Sequence, residues 1–205
     1  VSAEMARLLS RANDFAQLSG GAFDITYAAV GQLYDYRQRI RPTDEALAQA
    51  RAAVGYRHLA LDMRARTVRF NRPGMRIDLG GFAKGHAVDN AAAILRHCGI
   101  RHANVSAGGD SRVIGDHRGR PWTIGIRDPR RPGELIHTVS LRSGAVASSG
   151  DYERCIEIDG VRYGHVLSPR TGWPVRSLAA VSVVADLCIV AGSTATIALL
   201  REDEG

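Results

Sequence analysis

Lys84 is the residue whose chemistry stands out, because it is the only lysine among the 27 Lys and Arg residues of the chain. It lies in the segment IDLGGFAKG, residues 77–85, where a short strand is predicted to lead through two glycines into a helix. Glycine lets backbone approach a ligand, and a helix start offers N–H groups at a positive dipole end. An ammonium in the first helical turn opposes that dipole unless an anion is bound. The segment therefore predicts a phosphate site, with a tight turn and an exposed Lys as the alternative.

Three other segments carry polar side chains at predicted turns. Residues 148–154 combine hydroxyls, carboxylates and a guanidinium, which suits a phosphate and a sugar or, equally, simple turn chemistry. His165 ends a predicted strand before a loop rich in Pro and Gly, where a lone His is more often structural than catalytic. Asp24 follows a pair of glycines at a predicted helix start, and by itself it is interpreted as an N-cap.

The composition is that of a globular protein. With 205 residues, 45% of them hydrophobic and 23% charged, the chain is predicted to be one domain or a modest two-lobed one. No apolar run reaches the length of a membrane span. The chain opens on a helical pattern at Val1 without an initiator Met or a leader, so we expect it to be part of a longer protein.

The net charge and the cysteine spacing bear on two kinds of site, a nucleic-acid interface and a zinc site. A net charge of +6 suits a partner with phosphates, but the Arg residues are spread along the chain and no RNA-binding motif is present. Most of them are therefore interpreted as solvated surface charge. The three cysteines, Cys98, Cys155 and Cys188, lack zinc spacing and are predicted to be buried free thiols.

The hydrophobic pattern predicts an α+β protein with antiparallel hairpins. Helices are predicted over 3–18, from about Asp24 to Tyr36, after Thr43, over about 82–97 with Ala87, Val88, Ala91, Ile94, Leu95 and Cys98 buried, and over about 187–201. Strands are predicted at 58–61, 67–70, 77–79, 102–107, 122–127, 136–141, 145–148, 155–158, 161–163 and 178–185, with a hairpin turn at 159–160.

These segments together resemble a known family, the ApbE-like FAD:protein FMN transferases, also called flavin transferases. The resemblance covers nearly the whole chain. It is carried by GAFD at 21–24, IDLGGFAKG at 77–85, GGD at 108–110, SGDY at 149–152 and HVLSPRTG at 165–172. Five markers in this order and spacing are highly specific.

The resemblance implies an α+β fold with mixed, mostly antiparallel sheets, flanking helices, and FAD in a cleft between two lobes of a single domain, residues 1–205. It implies Mg²⁺-dependent cleavage of the FAD pyrophosphate and transfer of FMN, through a phosphoester, to a Thr or Ser of an acceptor protein. The implied FAD contacts are Ala22, Phe23, Asp24, Asp78, Lys84 and Val166, the implied catalytic residue is His165, and the implied metal ligands are the Gly81 carbonyl and Thr196.

The chain departs from the family pattern at three places. Gly192 stands where the family usually has an Asp, four residues before the metal-binding Thr, and Ser168 stands where it has an Asp before Pro. The family's N-terminal segment, which adds FAD contacts, is expected to precede Val1. Because Mg²⁺ prefers charged oxygen ligands, the missing carboxylate predicts a weakened metal site. Tight Mg²⁺ binding without nucleotide would instead indicate that another residue, Asp186 or Asp110, has taken over the missing ligand.

Three alternative functions remain open from the sequence. A flavin-binding protein without catalysis is favoured by Gly192 and Ser168 and opposed by Lys84, His165 and Asp151. An FAD pyrophosphatase releasing FMN and AMP needs the same metal without a protein acceptor. A nucleic-acid binder rests only on the high isoelectric point.

The expected partners are FAD and an acceptor protein with a Thr or Ser, and not nucleic acid. A membrane is expected to be reached only through the acceptor or a missing N-terminal anchor. The resemblance implies a bacterial periplasmic or cell-envelope location.

Overall fold

The structure, a computed structural model, describes residues 1–152 and 154–201. The α-helices are α1 (Ala3–Leu18), α2 (Ala28–Gly31), α3 (Asp44–Arg51), α4 (Gly80–His97) and α5 (Cys188–Leu200). The strands are β1 (Leu59–Asp62), β2 (Thr67–Phe70), β3 (Ala103–Ala107), β4 (Asp110–Ile114), β5 (Trp122–Arg127), β6 (Leu135–Leu141), β7 (Gly144–Gly150), β8 (Cys155–Ile158), β9 (Val161–Gly164) and β10 (Ala180–Ala185). All the pairings between these strands are antiparallel, so the predicted α+β class is confirmed.

The described residues form two compact units, of which the first comprises residues 1–79, 154–177 and 200–201. It contains α1 to α3 and the hairpins β1–β2 and β8–β9. Helix α1 begins as predicted, because the side chain of Ser2 accepts a hydrogen bond from the Met5 N–H. One core cluster consists of the buried side chains Val30, Tyr34, Leu47, Ile156, Tyr163 and Leu167. This cluster brings the β8–β9 hairpin and the loop after it onto α2 and α3.

The second unit comprises Gly80–Tyr152 and Leu178–Leu199. Its main sheet has the strand order β10-β7-β4-β3, and α4 packs against β3 and β4. A Cβ at Gly85 would lie 2.7 Å from the backbone of Ile189, so α4 and α5 touch backbone to backbone. Glycine is required at this crossing because any side chain would separate the two helices.

Two predicted elements differ from the structure. The stretch from Asp24 to Tyr36 is a 3₁₀ turn over Ile25–Tyr27 followed by the short α2. Tyr34 and Tyr36 leave the helical path and donate their hydroxyls to the carbonyls of Gly172 and Gly164. Residues 77–79 form no strand, since the Asp78 N–H donates to the carbonyl of Ile25 in a helical turn. A third element, β4, was not predicted as a strand.

Burial also differs from the prediction at the cysteines and on α4. Cys188 is buried as predicted, whereas Cys98 and Cys155 are exposed. On α4, Ala87 is exposed and Ile94 keeps 63% of its surface exposed, because only the face with Val88 and Ala92 meets the sheet. Within the described parts of the chain, no helix combines the length and apolarity needed to cross a membrane.

Candidate functional site

Lys84 extends from α4 along the glycine turn between β3 and β4. Gly108 and Gly109 form this turn with φ angles of 57° and 92°, as the tight turns favoured in hairpins require. A Cβ at Gly108 would lie 3.2 Å from Cδ of Lys84, so glycine also makes room for the lysine stem. Helix α4 begins at Gly80, which places Lys84 in its second turn rather than in the predicted first turn. The ammonium Nζ lies 3.7 Å from Oδ2 of Asp110.

Asp110 directs its carboxylate towards α5. Its side chain is only 7% exposed. A Cβ built on Gly192 would lie 3.6 Å from Oδ2 of Asp110 and 3.8 Å from Cβ of Ala147, both ordinary contact distances. The missing side chain at Gly192 therefore leaves a space on α5 that the Asp110 carboxylate faces.

Thr196 lies one helical turn beyond Gly192, on the same face of α5. Its hydroxyl donates to the Gly192 carbonyl at 3.0 Å and shares a 2.8 Å hydrogen bond with the hydroxyl of Ser149. A Cβ at Gly81 would lie 4.0 Å from the Thr196 oxygen, so the start of α4 adjoins this hydroxyl. The second unit thus places Lys84 beside Asp110, Asp110 beside Gly192, and Thr196 beside the start of α4. Contact of Gly81 and Thr196 with a metal, and of Lys84 with FAD, stays a prediction.

The donors of this cluster fit a magnesium ion that is shared with phosphates. Mg²⁺ is usually held by one or two carboxylates together with substrate phosphates and water. The cluster offers the carboxylate of Asp110, the hydroxyl of Thr196 and the backbone of Gly81. Within residues 1–152 and 154–201, no group of three or more His, Cys, Asp or Glu side chains is placed to hold a metal ion.

Asp89 holds the start of α5 in place through hydrogen bonds, a role that was not predicted from the sequence. Its two oxygens accept from the N–H groups of Cys188 at 2.9 Å and Ile189 at 3.0 Å. Arg112 donates to the same carboxylate at 2.7 Å. Burial, with the negative charges of Asp110 and Asp89, raises the pKa of the Cys188 thiol to about 12 and keeps it neutral. Asp89 lies about 100 residues before α5 in the chain, so no local pattern in the sequence signals this contact.

Ala22, Phe23 and Asp24 are buried within the first unit. The Asp24 carboxylate accepts from the Thr26 N–H at 2.8 Å and, through its other oxygen, from the Tyr56 N–H at 2.7 Å. It is therefore the N-cap of a 3₁₀ turn, as its position predicted, and it also holds a second loop. Contact of these three residues with FAD stays a prediction.

Asp78 is held beside Tyr27, which the sequence analysis did not single out. The Tyr27 hydroxyl is hydrogen-bonded to the Asp78 side chain, and Gly31 leaves room for the Tyr27 ring at 3.1 Å. Burial first, and then the negative charge of Asp78, raise the pKa of Tyr27 to about 12, against the lowering effect of Arg154. Tyr27 therefore stays protonated and donates to the carboxylate.

His165 lies directly after β9, with one ring nitrogen bound to backbone. Its Nδ1 lies 3.2 Å from the carbonyl of Arg154. A carbonyl only accepts, so Nδ1 carries the proton and, in the neutral ring, Nε2 is the basic nitrogen. The hydroxyl of Tyr36 donates at 2.9 Å to the neighbouring Gly164 carbonyl, and the Arg154 guanidinium lies 4.9 Å above the Tyr36 ring. The half-buried Val166 follows His165, and its carbonyl accepts from the Val175 N–H.

The remaining polar segment, residues 148–154, is divided by the fold. Ser149 joins the Thr196 hydroxyl, whereas the Arg154 backbone binds His165 in the first unit. Glu153 lies outside the described residues.

Comparisons with known proteins identify the family. The family model described as "ApbE family" matches residues 1–205. The chain belongs to the ApbE family. Among curated ApbE relatives, an FAD:protein FMN transferase of Rhodobacter capsulatus is 36% identical over 204 residues, which are 98% of this chain and 39% of the relative. An FAD:protein FMN transferase of Haemophilus influenzae is 32% identical over 215 residues, covering 100% of this chain and 62% of the relative.

Solved ApbE structures share the fold. A crystal structure of the ApbE protein of Thermotoga maritima matches with a TM-score of 0.92 and 38% identity, over 98% of this chain and 66% of that one. The flavin transferase ApbE of Vibrio cholerae matches with a TM-score of 0.86 and 32% identity, over 98% of this chain and 65% of that one. The chain thus spans less than two thirds of these relatives and structures.

Proposed function

We propose that the protein transfers FMN from FAD to a Thr or Ser hydroxyl of an acceptor protein in a Mg²⁺-dependent reaction. The observation that carries the proposal is the cluster of Lys84, Asp110 and Thr196, with Gly81 adjoining it. It combines a cation for phosphate with the oxygen donors that suit Mg²⁺. Family membership supports the same reaction, since several ApbE relatives carry the name FAD:protein FMN transferase.

The second unit would bind the pyrophosphate of FAD. The Lys84 ammonium would neutralise phosphate charge, and the glycines at the start of α4 would present backbone N–H groups to it. A bound Mg²⁺, held by Gly81, Thr196 and a carboxylate, would neutralise the charge that develops on the phosphate oxygens. Asp89 would keep α5, and with it Thr196, in place against α4.

His165 would supply the base. The Nε2 atom of His165 would accept the proton of the acceptor hydroxyl while that oxygen bonds to the phosphorus of the FMN moiety. The bond from this phosphorus to the oxygen bridging to AMP breaks, and AMP leaves with the electron pair. The products are the FMN phosphoester of the acceptor and AMP, so atoms and charge balance.

Mass spectrometry of an acceptor peptide tests the proposal. The protein is incubated with FAD, Mg²⁺ and a peptide that contains one Thr, and a peptide with Val in its place is the matched control. We expect one FMN on the Thr peptide and none on the Val peptide. Free FMN and AMP with an unmodified Thr peptide would instead identify a pyrophosphatase and refute transfer.

A further inference from the structure

Asp110 faces a gap in α5 at the position where a side chain is missing. The Cβ that Gly192 lacks would lie 3.6 Å from Oδ2 of Asp110. Thr196 projects from the same face one turn later, and its hydroxyl adjoins the backbone of Gly81. The carboxylate of Asp110, at the start of β4, therefore reaches the face of α5 that carries Thr196.

The other well-connected carboxylates of this unit are committed elsewhere. Asp89 accepts from Arg112 and from two N–H groups of α5. Asp116 accepts from the Gly119 N–H and faces Arg142, and Asp128 is held by Arg131 at 3.0 Å. These contacts hold Asp89, Asp116 and Asp128 to partners other than Thr196.

The ion pair of Asp110 is longer than these contacts. Its 3.7 Å separation from the Lys84 ammonium exceeds the roughly 2.7–2.9 Å of a charge-assisted hydrogen bond. The Lys84 side chain is 45% exposed, whereas that of Asp110 is 7% exposed. The lysine side chain is therefore partly in solvent, whereas the carboxylate is buried.

We infer that Asp110 is the carboxylate ligand of a divalent cation of the Mg²⁺ type, held jointly with Thr196, Gly81 and the phosphates of a bound nucleotide. The inference rests on the proposed function, because the phosphates are those of FAD. A cation beside Asp110 repels the Lys84 ammonium, which then turns to the phosphates. A single carboxylate is sufficient because Mg²⁺ sites that include phosphates commonly use one or two.

The affinity for ADP, measured by titration calorimetry with and without Mg²⁺, tests this assignment. ADP carries the pyrophosphate but no flavin to be transferred. In the unaltered protein we expect Mg²⁺ to tighten ADP binding by about tenfold or more, the scale on which changes around metal sites act. In Asp110→Asn this enhancement disappears, whereas the metal-free affinity for ADP stays equal or rises because a negative charge near the phosphates is gone.

The matched control is Asp186→Asn. Asp186 is an exposed carboxylate two residues before the start of α5, so this variant keeps the full Mg²⁺ enhancement. Thermal unfolding of each variant shows whether it is folded. A variant that misfolds loses ADP binding both with and without Mg²⁺, unlike the expected loss of the enhancement alone.

A double variant restores a carboxylate at this place by supplying it from α5 instead of β4. Gly192→Asp added to Asp110→Asn places the group on α5, next to the original oxygen position, and the Mg²⁺ enhancement is expected to reappear. Equal enhancement in the unaltered protein and in Asp110→Asn overturns the assignment while leaving the proposed function intact. Failure of the unaltered protein to bind ADP at all overturns both.

Discussion

Replacing Asp89 by Ala is expected to destabilise the second unit strongly. The substitution removes the acceptor of two N–H groups at the start of α5 and the partner of Arg112. The side chains of Arg112 and Asp89 are only 11% and 12% exposed, so water replaces little of what is lost. The Arg112 Nε is already buried without a hydrogen-bond partner, which leaves this guanidinium poorly compensated.

The expected loss in the free energy of unfolding follows from these contacts. Removing one partner of a buried ion pair costs about 3–5 kcal/mol, because the other charge stays buried. Losing a helix cap costs about 0.5–2 kcal/mol. Because the two losses share the same carboxylate, we expect about 3–5 kcal/mol in total, a large part of the roughly 5–15 kcal/mol that stabilises a domain.

Urea unfolding followed by circular dichroism measures this loss. The control is Asp44→Ala, which breaks an exposed ion pair with Arg41 at 3.7 Å and is expected to cost at most about 1 kcal/mol. Asp89→Asn keeps an acceptor oxygen but not the charge, and it is expected to fall between the two. If Asp89→Ala costs no more than Asp44→Ala, the carboxylate does not hold α5 in place.

Four further predictions concern the site. Lys84→Ala is expected to weaken FAD binding by about 1–3 kcal/mol, the value of a charge-assisted contact, with poor rescue by Lys84→Arg, as measured by calorimetry. His165→Ala is expected to slow FMN transfer by roughly 10²–10⁴-fold, through loss of the base, while the Kd for FAD is unchanged. The unaltered protein is expected to bind little Mg²⁺ without nucleotide, and Gly192→Asp to raise that affinity in calorimetry, because it adds a second carboxylate beside Asp110. Burial and the Asp78 carboxylate raise the pKa of Tyr27 to about 12. The stabilisation that comes from the protonated Tyr27 is therefore complete below pH 10 and is lost as the pH rises towards 12. Asp78→Asn is expected to lower the pH at which the absorbance of the Tyr27 tyrosinate appears.

Each of these predictions has a result that contradicts it. Unchanged FAD affinity in Lys84→Ala removes its phosphate role, and transfer at the normal rate by His165→Ala makes that histidine structural. Gly192→Ala, which adds a side chain without charge, controls for helix propensity; if it raises Mg²⁺ affinity as much as Gly192→Asp, the carboxylate is irrelevant. An unaltered tyrosine titration in Asp78→Asn means that burial alone sets the pKa of Tyr27.

Much of the fold was predictable because local signals agree with the tertiary structure. Ser2 and Thr43 cap helices where the sequence has capping residues, and the Asp159-Gly160 turn forms the expected hairpin. The short α2 was not predictable, because two tyrosine hydroxyls bind carbonyls more than 120 residues away. Residues 77–79 look like a strand, but their partner is a helical turn, which no local pattern reveals.

The sequence singled out Lys84, Gly81 and Thr196 by residue type and by the resemblance, and their roles in binding stay predictions. The structure places Gly81 beside Thr196 and Lys84 beside Asp110. Sequence reasoning missed Asp89 and Tyr27 because each acts through a partner distant in the chain. The sequence offered both Asp110 and Asp186 as replacements for the missing carboxylate and could not choose between them, since the approach of Asp110 to Gly192 depends on sheet and helix packing.

Quantifying the products of the reaction tests the central claim most directly. The protein is incubated with FAD, Mg²⁺ and an acceptor protein containing a Thr site, and AMP, free FMN and acceptor-bound FMN are measured together. FMN transfer predicts equal amounts of AMP and acceptor-bound FMN, with the flavin on the Thr oxygen and little free FMN. AMP matched by free FMN, with an unmodified acceptor, would contradict the account.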